Sequence, residues 1–160
     1  EEVAKGRDDG FDAIILACFD DTGLAEARRL SRLPTIGIGE AAFHVAMLLG
    51  AKFSVVTTLA ISVPVIEENL RDYGLESACL KVRASEVEVL DLEIDGSSAR
   101  DKISNEMACS LREEQPGAVV LGCAGMADLA SQLSQTHNVP VIDGVAAAVG
   151  LASGLVRLGR

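Results

Sequence analysis

Two of the four cysteines, Cys18 and Cys123, sit at the ends of matching phrases. Ala13-Ile14-Ile15-Leu16-Ala17-Cys18 and Ala118-Val119-Val120-Leu121-Gly122-Cys123 are each a short apolar run closed by a small residue and a thiol. The text that follows also matches. Leu24-Ala25 answers Leu129-Ala130, and Pro34-Thr35-Ile36 answers Pro140-Val141-Ile142 after a one-residue slip. A thiol at a strand end, facing a helix start, is in a position whose amides favour the thiolate. The small neighbours Ala17, Gly122, Ala124 and Gly125 let backbone N–H groups approach a ligand and hold a carboxylate, imide or enolate oxygen. A thiolate on one face of a carbon and a thiol on the other suit proton exchange at a carbon acid. The bland alternative is a pair of buried core cysteines. Their matching places in a repeat favour the chemical reading.

The elements that must position these thiols follow from periodicity and breakers. Phe11 to Ala17 reads as a buried strand, and Leu24, Ala27, Leu30 and Leu33 recur at helical spacing until Pro34. Thr35 to Ile38 is a second strand, and Ala41 to Leu49 a helix closed by Gly50. Phe53 to Val56 is a strand ending in Thr57-Thr58. A helix over Val63–Tyr73 tolerates Pro64 in its first turn, and a strand covers 78–83. Ala84 to Gly96, where acidic and apolar residues alternate, reads as a loop with a short strand. Ser98 to Glu114 is a helix, with Ile103, Met107 and Leu111 on one face. The second thiol strand follows, then a helix over 129–136, a strand at 140–142 and a closing helix over 144–158. Strands alternating with helices specify an α/β fold with parallel sheets, whose ligand sites lie at the carboxyl ends of strands. Cys18, Thr57, Thr58, Cys123 and Asp143 all fall at such ends.

The other candidates carry less. Cys79 and Cys109 fall in a strand and on a helix, where core packing is the simpler reading. His44 and His137 have no partners at zinc-ligand spacing, so no metal is expected. No Gly-x-Ser-x-Gly turn or phosphate-binding loop occurs, and Gly37-x-Gly39 lacks the later glycine of a dinucleotide fingerprint. Asp20 and Asp21 read as caps of the helix that follows them, or as groups that orient Cys18. Thr57 and Thr58 are expected to donate to substrate oxygens or to close a strand end. Asp143, which mirrors Gly37, shapes a turn.

Composition sets the class. Of 160 residues, 49% are hydrophobic and only 3% aromatic, which calls for a globular protein with an aliphatic core. A net charge of −10 argues against a nucleic-acid partner, which needs clustered cations. No apolar run reaches the length of a membrane span. Free, unpaired thiols fit a reducing, cytoplasmic setting. The sequence opens on Glu1 within a charged helical tail and stops at Arg160 on a helical pattern, so the middle of a longer protein is expected.

The pair Ala17-Cys18-Phe19-Asp20-Asp21 and Leu121-Gly122-Cys123-Ala124-Gly125-Met126 resembles the aspartate/glutamate/hydantoin racemase superfamily. Glu40-Ala41-Ala42-Phe43-His44, Leu49-Gly50-Ala51-Lys52-Phe53-Ser54-Val55-Val56-Thr57-Thr58 and Val139-Pro140-Val141-Ile142-Asp143-Gly144-Val145 narrow the likeness to its hydantoin and allantoin racemase branch. The resemblance covers nearly the whole chain. It implies two pseudo-symmetric parallel-sheet α/β lobes, drawn here as 1–45 plus 146–160 and 46–145, with a small-molecule substrate in the cleft between them. It implies cofactor-independent racemization of a 5-substituted hydantoin or allantoin by Cys18 and Cys123. Substrate contacts would come from the turns carrying Phe19 and Asp20, Thr57 and Thr58, and Gly122, Ala124 and Gly125. A homo-oligomer is also implied. The sequence lacks the family's opening strand and has Asp20 where a small residue is usual. An amino-acid racemase, a maleate-type isomerase and a non-catalytic binding module stand as alternatives.

Overall fold

The structure, a computed structural model, describes residues 2–50, 52–94 and 97–159. Its elements in chain order are α1 (Glu2–Asp8), β1 (Ile14–Leu16), α2 (Leu24–Ser31), β2 (Thr35–Gly37), α3 (Ile38–Gly50), β3 (Phe53–Thr57), α4 (Val63–Asp72) and β4 (Cys79–Ala84). Then come α5 (Ala99–Glu113), β5 (Ala118–Leu121), α6 (Ala130–His137), β6 (Val141–Asp143) and α7 (Gly144–Arg157). β1 and β2 form one parallel pair, and the other strands form a parallel sheet in the order β4-β3-β5-β6.

β3 and β5 are buried along their whole length, as parallel strands covered by helices on both faces must be. Their side chains alternate between two cores, because successive residues of a strand point to opposite faces. Phe53, Val55 and Val120 join one core with Phe43 of α3, Ile66 of α4 and Ala148 of α7. Val56, Val119 and Leu121 join the other with Ile103 and Met107 of α5.

The duplication seen in the sequence is a structural repeat. β1-α2-β2-α3 and β5-α6-β6-α7 have the same order, and the same bond closes each strand pair. Ile14 N donates to Pro34 O at 2.9 Å, and Val119 N donates to Pro140 O at 2.9 Å. Each intervening helix ends in a left-handed residue, Arg32 (φ 56°) and Asn138 (φ 50°). The starts of α3 and α7 touch: a Cβ on Gly144 would stand 2.6 Å from Ile38 O, so that position admits no side chain.

The structure shortens two expected elements. Phe11 is 61% exposed and β1 starts only at Ile14, so the first residues of that apolar run stay outside the sheet. α2 stops at Ser31, short of Leu33, because the backbone has already turned left-handed at Arg32. Val89–Glu93 is a 3-10 segment and not a strand; Glu86, Glu88 and Glu93 are exposed, while Ser85 and Val87 are buried. Glu1, Ala51, Asp95, Gly96 and Arg160, on which parts of the sequence reading fell, lie outside the described residues. The boundaries drawn at 45/46 and 145/146 fall inside α3 and α7. Both helices pack on the core shared by the two sheets.

Candidate active site

Cys18 and Cys123 occupy equivalent places. Each lies two residues beyond the end of a parallel strand, β1 or β5. In each turn the amide three residues on closes back on the cysteine carbonyl: Asp21 N to Cys18 O at 3.0 Å, Met126 N to Cys123 O at 3.1 Å. Cys18 is exposed and Cys123 half-buried, and neither is in a disulfide. The two residues after each thiol, Phe19-Asp20 and Ala124-Gly125, have amides with no backbone partner among the described residues. Each turn thus pairs one thiol with two free N–H donors, a set able to hold an anionic oxygen beside a reacting carbon.

The side chains of these turns have separate duties. The Phe19 ring is buried against Phe43 in an edge-on contact at 5.5 Å, leaving its backbone at the turn. Asp20 is half-buried, and burial pushes its carboxyl above the ordinary range. Ala124 is half-buried and Gly125 exposed.

Thr57 takes the second of its two expected roles, closing a strand end, and Gly122 is its partner. Thr57 is fully buried, and its hydroxyl donates to Gly122 O at 2.9 Å. Gly122 N donates to Val56 O at 2.8 Å. With the Thr57 O–H and the Gly122 amide and carbonyl engaged, these residues brace the Cys123 turn against β3. Thr58 is different: its hydroxyl has no hydrogen-bond partner among the described residues.

Asp21 departs from expectation. It does not cap α2, the helix that follows it. Its carboxylate is buried and caps α3, accepting from Gly39 N at 3.2 Å and Glu40 N at 2.7 Å. Tyr73 Oη donates to the same carboxylate at 2.9 Å. Burial raises the Asp21 carboxyl, with the Gly39, Glu40 and Tyr73 bonds opposing. Burial first, then the Asp21 charge, pushes the Tyr73 phenol well above its usual value, so Tyr73 remains a donor. In the other repeat the cap is local: Asp143 accepts from Val145 N at 2.9 Å and Ala146 N at 3.0 Å. Gly37 stands where Asp143 stands, and a Cβ there would be 2.0 Å from Asp21 Oδ1. Both helices need an anion at the N-terminus, and the two halves supply it from different loops.

Sequence reasoning passed over the wall beside Cys123. A Cβ built on Gly125 would lie 3.1 Å from Leu92 Cδ1 and 3.8 Å from Cys123 Sγ. Leu92 and Val89, from the 3-10 segment, line a groove of about 370 Å³ with Glu93, Arg100, Ala124 and Asp128. The alternation of acidic and apolar residues in that stretch disguised a wall as a strand. Tyr73 was legible in one respect, as the chain's only tyrosine. Cys79 is half-buried and packs against the edge of the core, and burial pushes it up to about 12. His44 bonds Glu40 O within its helix, and His137 bonds Ser104.

Comparison with known proteins agrees with the geometry. A hydantoin racemase of Rhizobium meliloti is 47% identical over 158 residues, covering 99% of this chain and 66% of that protein. The allantoin racemase from Klebsiella pneumoniae superposes with a TM-score of 0.94 at 45% identity, over 99% of this chain and 64% of that one. The allantoin racemase from Pseudomonas fluorescens gives a TM-score of 0.90 at 45% identity, over 94% of this chain and 64% of that one. The chain therefore spans a little under two thirds of the length of these relatives. The Asp/Glu/Hydantoin racemase family model matches residues 1–152, and with two thiol turns in a parallel α/β repeat, the chain belongs to that family.

Proposed function

We propose that the protein racemizes a hydantoin-type carbon acid, a 5-substituted hydantoin or allantoin, with Cys18 and Cys123 as the acid/base pair. One observation carries the reading: two thiols at the same place in each half of a structural repeat, each followed by two unbonded amides. The names of the 47%-identical and 45%-identical relatives support the substrate class.

The hydrogen at the ring carbon between nitrogen and carbonyl is acidified by that carbonyl. One thiolate takes this proton and becomes a thiol, while the C–H electron pair moves onto the carbonyl as an enolate. Free amides at Phe19-Asp20 or Ala124-Gly125, with the Thr58 hydroxyl, hold the oxyanion. The opposite thiol returns a proton to the other face and becomes the thiolate. The configuration is inverted and the two sulfurs have exchanged protonation states. No redox step or cofactor enters. Thr57 and Gly122 serve by holding the Cys123 turn. The same reading places the protein in the cytoplasm, where its four free thiols suit a reducing medium, and as a homo-oligomer, to be checked by light scattering.

Polarimetry with single enantiomers of allantoin and of alkyl and aryl hydantoins tests this. Cys18→Ser and Cys123→Ser should each lower racemization by about 10²–10⁴-fold, the usual worth of a positioned acid or base. Each variant should still exchange the ring proton for deuterium in the one enantiomer its surviving thiol faces. Near-full racemization by either variant would overturn the mechanism.

A further inference from the structure

Both thiol turns are gripped by one stretch of chain that belongs to neither half of the repeat. β3 ends in Thr57, whose hydroxyl holds Gly122, the residue before Cys123, at 2.9 Å. The same chain then continues into α4, and α4 reaches the other turn. Asn69 Nδ2 donates to Asp20 O at 2.8 Å, and Tyr73 Oη donates to Asp21 Oδ2 at 2.9 Å. Asn69 in α4 and Tyr73, the residue just past its end, are four apart, so they lie on one side of the helix. They grasp two consecutive residues just past Cys18. Asp21 passes the grip on, since its own amide donates to Cys18 O at 3.0 Å. Asp21 sits at φ 49°, a backbone state few non-glycine residues adopt. An apolar chain runs beside the polar one: Tyr73 lies 6.4 Å from the Phe43 ring, and Phe43 lies 5.5 Å from Phe19.

We propose that the β3–α4 unit is a gauge that sets the two sulfurs at working separation, with Asn69 and Tyr73 as positioning residues for Cys18 and Thr57 as the positioning residue for Cys123. This rests on the two-thiol reading above and extends it to residues outside the repeat. A gauge outside the duplicated halves has a physical reason. Each half can orient its own thiol, and a rigid piece bonded to both turns ties the position of one to that of the other.

The test uses the full-length protein and three variants that keep shape while deleting one polar group: Tyr73→Phe, Asn69→Leu and Thr57→Val. Thr57→Ser, which keeps the hydroxyl, is the rescue. Solvent deuterium exchange is followed separately from each pure enantiomer. Tyr73→Phe and Asn69→Leu should lower kcat for exchange at least about 10-fold in the enantiomer that Cys18→Ser also disables, leaving KM and the other enantiomer within about 2-fold. Thr57→Val should show the mirror image, and Thr57→Ser should restore it. A general loss of stability cannot produce opposite enantiomer preferences in two variants. Equal losses in both enantiomers, or no loss, would overturn the gauge.

Alkylation by iodoacetamide, read by peptide mass spectrometry, provides a second measurement that does not depend on turnover. Tyr73→Phe should change the rate at Cys18 at least about 3-fold and leave Cys123 alone, with the reverse for Thr57→Val. Rates that move together or not at all overturn the gauge. A wild-type protein that fails to racemize any hydantoin sinks the functional reading instead.

Discussion

Gly37 and Asp21 show how one residue's identity depends on a distant one. The Asp21 carboxylate fills the space a side chain at 37 would need. Gly37→Ala should therefore destabilise the protein by about 1–3 kcal/mol, the range for overpacking a filled site, measured by urea unfolding. Asp143 is the corresponding cap in the other half, with two amide bonds to its side chain. Asp143→Ala should cost about 1 kcal/mol, as the loss of an N-cap does, in the same experiment. The thiols differ in reactivity for a related reason. Exposed Cys18 should alkylate first, whereas half-buried Cys79, pushed up to about 12 by burial, should react much more slowly. Peptide mapping over time reads that order. An early Cys79 adduct would contradict the packing described for β4.

At the scale of elements, charge ties β4 to α5. Arg83 of β4 is 8% exposed and bonds Glu106 at 2.7 Å and Glu114 at 2.8 Å, and it pairs with Glu113 as well. The hydrogen bond to Arg83 holds the Glu113 and Glu114 carboxyls below the usual range. Their folded values lie below their unfolded ones, so this clamp's stabilisation is present above the ordinary carboxylate range. It is lost as pH falls through the folded values. Asp21 has the opposite sign: its folded value is raised, and ionising it costs stability as pH rises through that value. Thermal melts between pH 3 and 7 should show an acid loss of stability that is smaller in Arg83→Met. An equal acid loss in the variant would mean the clamp does not carry it. The 3-10 segment Val89–Glu93 makes a separate prediction. Leu92→Ala removes bulk beside Gly125 in the Cys123 turn and, on the proposed function, should raise the preference for aryl over methyl hydantoins, read as a ratio of kcat/KM values.

Across the whole molecule, the repeat, the strand–helix alternation and the two thiol turns were legible because they are written locally. Apolar runs of strand length, small residues and prolines recur at fixed places, and the family resemblance rests on the same phrases. The helix that Asp21 caps was not legible. The capped amides lie 18 and 19 residues away, and nothing in Asp20-Asp21-Thr22 distinguishes the near helix from the far one. The two threonines at the end of β3 look alike in sequence, yet one is a buried brace and the other has a free hydroxyl. Asn69 and Tyr73 meet the Cys18 turn across 49 and 52 residues. Side-chain chemistry and periodicity therefore determined which groups can react and which elements carry them. Only the packed fold decided which polar groups are consumed by one another and which remain for a ligand, because hydrogen-bond partners are allotted by distance in space and not by distance along the chain.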